Sequence, residues 1–288
     1  MEVCKNMLLN IIKSLILGVV QGITEWLPIS STAHLILFES FMPLNVYADA
    51  SANEAFWNMY KVVIQFGSIL AVVLLYWNRL WPFGRKTSSK KQRSIYRLWI
   101  LIVIASVPAA IAGLALDDLI DNVLSSPLVI AFTLILYGIL FIRMEKRKKT
   151  PSVTSSAKIT PQKAFGLGMY QMLALIPGTS RSGATIFGAT QLGFDRSTAA
   201  EFSFFMAIPV MLGASLLKIV KAVIKGMAFT GSSVLVLLAG MISAFLVSVF
   251  CIRYLMHYIR NHDFTIFGVY RIILGMIIAL FCLFKVIV

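Results

Sequence analysis

The chain has 288 residues, 59% of them hydrophobic and 13% charged, with 26 Lys and Arg against 12 Asp and Glu. A soluble domain carries about a quarter charged residues, and several apolar runs here approach the ~18–20 residues that cross a bilayer. The runs at 62–77, 98–116 and 232–252 have almost no polar face at helical spacing, which excludes a soluble α-bundle. The formal charge of +14 does not mark a nucleic-acid partner, because the cations cluster between apolar runs, as the positive-inside bias of membrane loops requires.

In chain order, the N-terminus MEVCKNMLLNIIKSLILGVVQG lacks an A-x-A-like cleavage site and is expected to be retained. The first apolar stretch, 8–42, is broken by 28-PISSTAH-34. Spans are predicted over 55–78, 97–116 and 126–143. A basic loop with Arg79, Arg85, Lys86, Lys90, Lys91, Arg93 and Arg97 precedes the second of these. Another, with Arg143, Lys146, Arg147, Lys148 and Lys149 against Glu145, follows the third. Both belong in the cytoplasm, and the acidic 117-DDLID-121 belongs outside. A polar linker, 144–161, contains 150-TPSVTSSAKITP-161 and is expected to be mobile. The second broken stretch, 162–192, carries 177-PGTSRSGAT-185, and spans over 201–223, 231–254 and 265–287 follow. Cys4, Cys251 and Cys282 show no metal or disulfide spacing.

The fold expected is an all-α polytopic membrane protein, a single domain of six transmembrane helices plus two re-entrant helix-loop-helix hairpins. Each hairpin half reads as too short to cross a bilayer, and broken segments are tolerated only inside protein or against a water-filled cavity. Hairpin plus three spans, twice over, gives an inverted repeat of about 1–143 and 162–288. Aligning Pro28 with Pro177 sets Ser31 on Ser180 and Gln21 within one position of Gln171. Broken ends then converge near the midplane. The basic loops place both termini outside; Lys218, Lys221 and Lys225 on the outer side run against this but are outnumbered.

The breaks carry the chemistry. Glu25 lies in an apolar helix with Gln21 one turn earlier on the same face, and an intramembrane carboxylate is a functional-site hypothesis by default. The plain alternative is a structural ion pair. Ser30, Ser31 and Thr32 follow Pro28; an N-cap accounts for one hydroxyl, not for all three. His34 stands three residues beyond Ser31 and can face the same pocket, a nucleophile and base within reach. In the second break Thr179, Ser180, Ser182 and Thr185 surround Arg181. Hydroxyls, helix-start N–H groups and a guanidinium form an anion cradle suited to phosphate; the alternative is an arginine reaching the interface. A concentrated diphosphate charge also calls for a divalent cation, Mg2+ or Ca2+.

QGITEWLPISSTAHL together with PGTSRSGAT resembles the undecaprenyl-diphosphatase family, the bacitracin-resistance proteins of bacteria. The resemblance extends through 62-VVIQFGSILAVVLLYW-77 and 199-AAEFSFFMAIPVMLGAS-215 and so covers essentially the whole chain. It implies hydrolysis of undecaprenyl diphosphate to undecaprenyl phosphate and inorganic phosphate in the bacterial cytoplasmic membrane, at a site opening to the outer face. That reaction recycles the lipid carrier of peptidoglycan precursors and confers bacitracin resistance. The family's paired acidic motif falls on Gln21 and Glu25, its serine and histidine on Ser31 and His34, and its arginine on Arg181. Many members have Glu where Gln21 stands, which leaves the metal-ligand role mainly to Glu25. Partners implied are the polyprenyl diphosphate and membrane lipids, with a homodimer left open.

Two rival readings remain at this point. Inverted repeats with broken helices also build lipid-phosphate transporters, although the sequence shows no second polar pathway. The phosphatidic acid phosphatase superfamily joins similar elements but needs a second histidine after its S-R pair, and 183-GATIFGATQLG-193 has none. Serine attack and attack by an activated water are not separated by the sequence.

Overall fold

The computed structural model describes residues 2–84, 88–119, 126–147 and 150–284. The elements are α1 (Glu2–Thr24), α2 (Ser31–Phe41), α3 (Ala50–Val63), α4 (Gln65–Leu75), α5 (Trp77–Leu80), α6 (Ser89–Leu119) and α7 (Pro127–Lys146). After a 3-10 turn at Ser156–Lys158 come α8 (Pro161–Leu173), α9 (Arg181–Gln191), α10 (Arg196–Ile224), α11 (Gly231–Asn261) and α12 (Thr265–Leu283). Seven stretches of the described residues are long and apolar enough to cross a membrane: Met7–Thr24, Ala50–Leu75, Ser89–Leu116 and the whole of α7, α10, α11 and α12. The chain is an all-α, multi-pass membrane protein.

Helices lie over the described part of all six stretches predicted as spans, mostly with longer bounds, and the last, 265–287, passes out of the described residues after 284. Ile64 keeps helical angles (φ −58°, ψ −27°), so α3 and α4 form one rod. The expectation fails at α1. Its 23 residues measure about 34 Å, so this half is not too short to cross; nothing interrupts the apolar helix before Glu25. The acidic stretch 117–121 runs from the end of α6 out of the described residues, as do parts of both basic clusters.

Each break ends on a serine that starts the next helix. Ser30 has φ +74° and Ser180 φ +69°, the two non-glycine residues with positive φ among those described. Such a backbone in a residue with a Cβ is sustained only by its surroundings. Each side chain accepts the N–H three residues on, Ala33 at 3.4 Å and Gly183 at 3.2 Å, as an N-cap does. The matching caps lie 150 positions apart, which corrects the proline alignment by one. Gln21 then falls on Gln171, Pro28 on Gly178 and Ser31 on Arg181. The capping serine, rather than the proline, sets where the second half-helix begins.

The two broken segments return to where they started. Asn10 on α1 donates to the Asn45 carbonyl (2.7 Å) and Lys13 to the Pro43 carbonyl (2.7 Å), just beyond α2. At the second, the Ser152 and Val153 N–H groups donate to the Gly193 carbonyl (2.8 and 2.9 Å), joining the approach to α8 with the exit from α9. The linker is therefore not the mobile loop expected. Val153 and Ile159 are buried, and Arg97 donates to the carbonyls of Ala157 (3.1 Å) and Ile159 (2.6 Å). Arg79 pairs with Glu201, and Arg196 with Glu145 at 2.5 Å, tying the same end of the bundle.

α1 packs along α11, α8 along α6, and α7 along α12; α4 touches α11 and α10 touches α6. Small residues let these backbones meet: a Cβ on Gly18 would stand 2.5 Å from the Gly240 carbonyl, and one on Gly138 2.7 Å from that of Gly268. Close approach of this kind replaces the hydrophobic effect as the glue between helices in lipid.

Candidate active site

Glu25 ends α1's line at the first break and is 4% exposed. Both carboxylate oxygens are engaged. Oε1 pairs with Arg181 Nη2 at 3.1 Å. Oε2 accepts from Ser31 Oγ at 2.8 Å and from Gln21 Nε2 at 3.0 Å. One carboxylate thus joins both breaks, and the two residues at equivalent first helical positions, Ser31 and Arg181, meet on it. The starts of α2 and α9, with the partial positive charge of helix N-termini, face the same place.

Arg181 is anchored from its other side. Nη1 donates to the Ser203 carbonyl (2.9 Å) and to Ser203 Oγ (3.1 Å). The guanidinium lies over Trp26, 5.4 Å from the ring centre. Its Nε is buried without a partner among the described residues, so among them the Nε–Nη2 edge, the one that can bridge two oxygens of a phosphate, is held by Glu25 alone. Thr185 Oγ1 donates to the Arg181 carbonyl at 2.8 Å and lies 2.6 Å from Ser203 Oγ. Ser182 Oγ reaches the Glu25 and Leu27 carbonyls (3.0 and 3.1 Å) and stands 3.1 Å from Ser180 Oγ.

Of the predicted site residues, the structure therefore brings together Glu25, Gln21, Ser31, Arg181, Ser182 and Thr185, with Ser30 and Ser180 as caps. Thr179 contributes its carbonyl to a contact with Arg271, and Thr32 makes no side-chain hydrogen bond among the described residues. His34 departs from the expected pairing with Ser31. Its Nδ1 lies 2.7 Å from the Ser30 carbonyl and its Nε2 2.6 Å from Tyr270 Oη. Ser31 takes the carboxylate because Glu25 is folded back over the start of α2.

Sequence reading missed Ser203, Trp26, Tyr270 and above all Arg271. Arg271 is fully buried on α12. It donates to the Pro28 carbonyl (3.0 Å) in one break and to the Gly178 and Thr179 carbonyls (2.9 and 3.0 Å) in the other. Its signal was available: an arginine inside the apolar run TIFGVYRIILGMIIALFCL is a functional-site hypothesis for the same reason as Glu25.

A cation would find a sparse donor set. Among the described residues no group of three or more His, Cys, Asp and Glu side chains gathers round one point. The buried Oε1 of Gln21, however, has no partner among the described residues and lies beside the Glu25 carboxylate, so one anionic and one neutral oxygen are at hand. A cleft of about 660 Å3 between α3 and the end of α10, lined by Tyr47, Asn58 and Lys225, contains none of these groups. Convergent chemistry, not cavity size, picks out the breaks.

Known proteins match the chain over nearly its whole length. The family model described as "Bacitracin resistance protein BacA" matches residues 14–277. The chain is 49% identical over 278 residues to an undecaprenyl-diphosphatase of Acetivibrio thermocellus, covering 96% of this chain and 99% of that protein. It is 48% identical to undecaprenyl-diphosphatases of Streptococcus mutans (96% and 98% covered) and of Clostridioides difficile (94% and 96%). On matches that cover nearly the whole chain, the chain belongs to the bacitracin resistance protein BacA family.

Proposed function

We propose that this chain is an undecaprenyl-diphosphate phosphatase, releasing inorganic phosphate and returning undecaprenyl phosphate to the wall-precursor cycle, with bacitracin resistance as the consequence. The observation that carries the reading is the double engagement of Glu25: Ser31 on one oxygen, Arg181 on the other. Arg181's Nε–Nη2 edge turns from Glu25 to the phosphates, bridging two oxygens as charge builds on the transferring phosphoryl group. Glu25, released from its ion pair, takes the Ser31 hydroxyl proton. Ser31 Oγ bonds to the terminal phosphorus, the P–O–P bridge breaks, and undecaprenyl phosphate departs. Water then bonds to phosphorus, the Ser31 O–P bond breaks, and the serine regains a proton. A divalent cation, Mg2+ or Ca2+, would be held by Glu25 and Gln21 and would supply charge neutralisation for the diphosphate.

The membrane arrangement belongs to the same proposal. α1–α2 and α8–α9 are re-entrant hairpins, with six further spans, in two inverted halves of the bacterial cytoplasmic membrane. The contacts that bring each broken segment back to its entry side support this, as do the matched serine caps and the way α1 on α11 mirrors α8 on α6. The bundle end carrying Arg79, Arg97, Lys146 and Arg196 faces the cytoplasm, and both termini and the mouth of the site face outward.

The deciding experiment is kinetic. Arg181→Lys keeps the charge and loses the fork, so both Arg181→Lys and Arg181→Ala should lose kcat on the order of 10²-fold, and a quenched reaction with terminally labelled substrate should trap phosphoserine at Ser31. Near-normal kcat in the lysine variant removes the fork from the mechanism, and label found in water-exchanged phosphate without any enzyme-bound species removes the serine attack.

A further inference from the structure

Tyr270 stands next to Arg271 on α12. Its hydroxyl lies 2.6 Å from His34 Nε2. The two rings also run nearly parallel, 7° apart with centres at 5.6 Å, so the imidazole is held by its face as well as by its edge.

The tautomer follows from the partners. A carbonyl oxygen can only accept, so the 2.7 Å contact to Ser30 fixes the proton on Nδ1 of the neutral ring. Nε2 is then a lone pair, and the Tyr270 hydroxyl donates to it. His34 is 6% exposed and Tyr270 42%, so the tyrosine stands between the imidazole and the surroundings. The nearest charged group on the same element, Arg271, points to the break carbonyls and not to the ring.

What the ring holds matters for the chemistry. The Ser30 carbonyl belongs to a residue forced to φ +74°, and Ser31, one residue on, must present its hydroxyl to Glu25. At the equivalent place in the second break Ala184 stands where His34 does, its N–H donates to the Ser180 carbonyl at 2.9 Å, and Arg271 holds the two carbonyls before it, of Gly178 and Thr179. The first break has one arginine contact, at Pro28, and needs a second tether nearer the serine.

We propose that Tyr270 is a positioning residue of the phosphatase: acting through His34, it fixes the imidazole as the Nδ1–H tautomer, and that ring pins the Ser30 carbonyl so that Ser31 stays aimed at Glu25. His34 is then a tether and not the base for Ser31. This rests on the site assignment under Proposed function.

The test has two arms, one of them independent of turnover. In full-length protein with the exposed His257 and His262 replaced by Gln, isotope-labelled histidine reports the His34 ring nitrogens by solid-state NMR. The parent shows Nδ1–H alone, and Tyr270→Phe, which keeps the stacked ring, shows a mixture of tautomers. In the kinetic arm, Tyr270→Phe lowers kcat on the order of tenfold, the equivalent of about one net hydrogen bond, with KM within about twofold. In a His34→Gln background the same change costs nothing further. An unchanged tautomer in Tyr270→Phe, or losses that multiply in the double variant, overturns the proposal. Should the parent protein release no phosphate from undecaprenyl diphosphate, the enzyme reading fails, while the NMR arm still decides whether Tyr270 sets the tautomer.

Discussion

Replacing Arg271 tests whether one guanidinium holds both breaks. It makes three hydrogen bonds to carbonyls that lie in different halves of the chain, 243 and 93 residues away. A lysine at this site reaches one break and not both, because its ammonium is a point donor on a flexible stem. At least one of the three bonds is lost outright and a second is weakened. Hydrogen bonds to a charged donor contribute about 1.5–3 kcal/mol each, and an abandoned buried carbonyl costs about 1–3 kcal/mol. The expected loss for Arg271→Lys is therefore about 3 kcal/mol. Arg271→Met loses all three bonds but also removes a buried charge, and no acid among the described residues pairs with Arg271. Relief of that desolvation offsets part of the damage, so the lysine variant should be at least as destabilised as the methionine one. Reversible unfolding in mixed micelles, followed by denaturant titration, gives both numbers. A lysine variant within about 0.5 kcal/mol of the parent, with full activity, would refute the cross-brace.

Three further outcomes are expected. Glu25→Gln should lower kcat on the order of 10²-fold or more, since the amide cannot take the Ser31 proton, and should lower stability because Arg181 loses its counter-ion; activity like the parent's removes Glu25 from the chemistry. Gly178→Ala should cost about 3 kcal/mol, because Gly178 has φ +86° and an added Cβ would sit 2.1 Å from Thr133 Oγ1; stability equal to the parent's in the same micelle titration would contradict the packing of α7 against the second break. In a background without the native cysteines, a thiol placed at Lys90 should label only from the cytoplasmic side and one at Asp118 only from outside, and the reverse pattern would overturn the proposed orientation.

Much of this was legible in the sequence because membrane burial makes polar residues informative. Glu25, Ser31 and Arg181 stand out from apolar flanks, and the prolines and glycines beside them mark where a helix must stop. What was not legible depends on distances between segments. The partner of Ser31 is decided by Glu25 folding over the start of α2, and spacing alone favoured His34 equally. Arg271 was visible as an intramembrane cation, but its role needed both breaks in place, since its acceptors are backbone carbonyls that any sequence would supply. The linker failed for a related reason: 150–161 is polar enough to read as free, yet Arg97 from another helix satisfies its carbonyls. The alignment of the two breaks slipped by one because proline stops a helix without fixing where the next begins, and that point is set by the serine caps at Ser30 and Ser180.

The most direct measurement is phosphate release from undecaprenyl diphosphate by the purified chain, its Ser31→Ala variant and its Arg181→Ala variant, each with and without a chelator. The account predicts one inorganic phosphate and one undecaprenyl phosphate per turnover for the parent, suppression by the chelator, and losses on the order of 10²-fold or more in both variants. No release by the parent, or release that persists undiminished when Ser31 and Arg181 are gone, contradicts it.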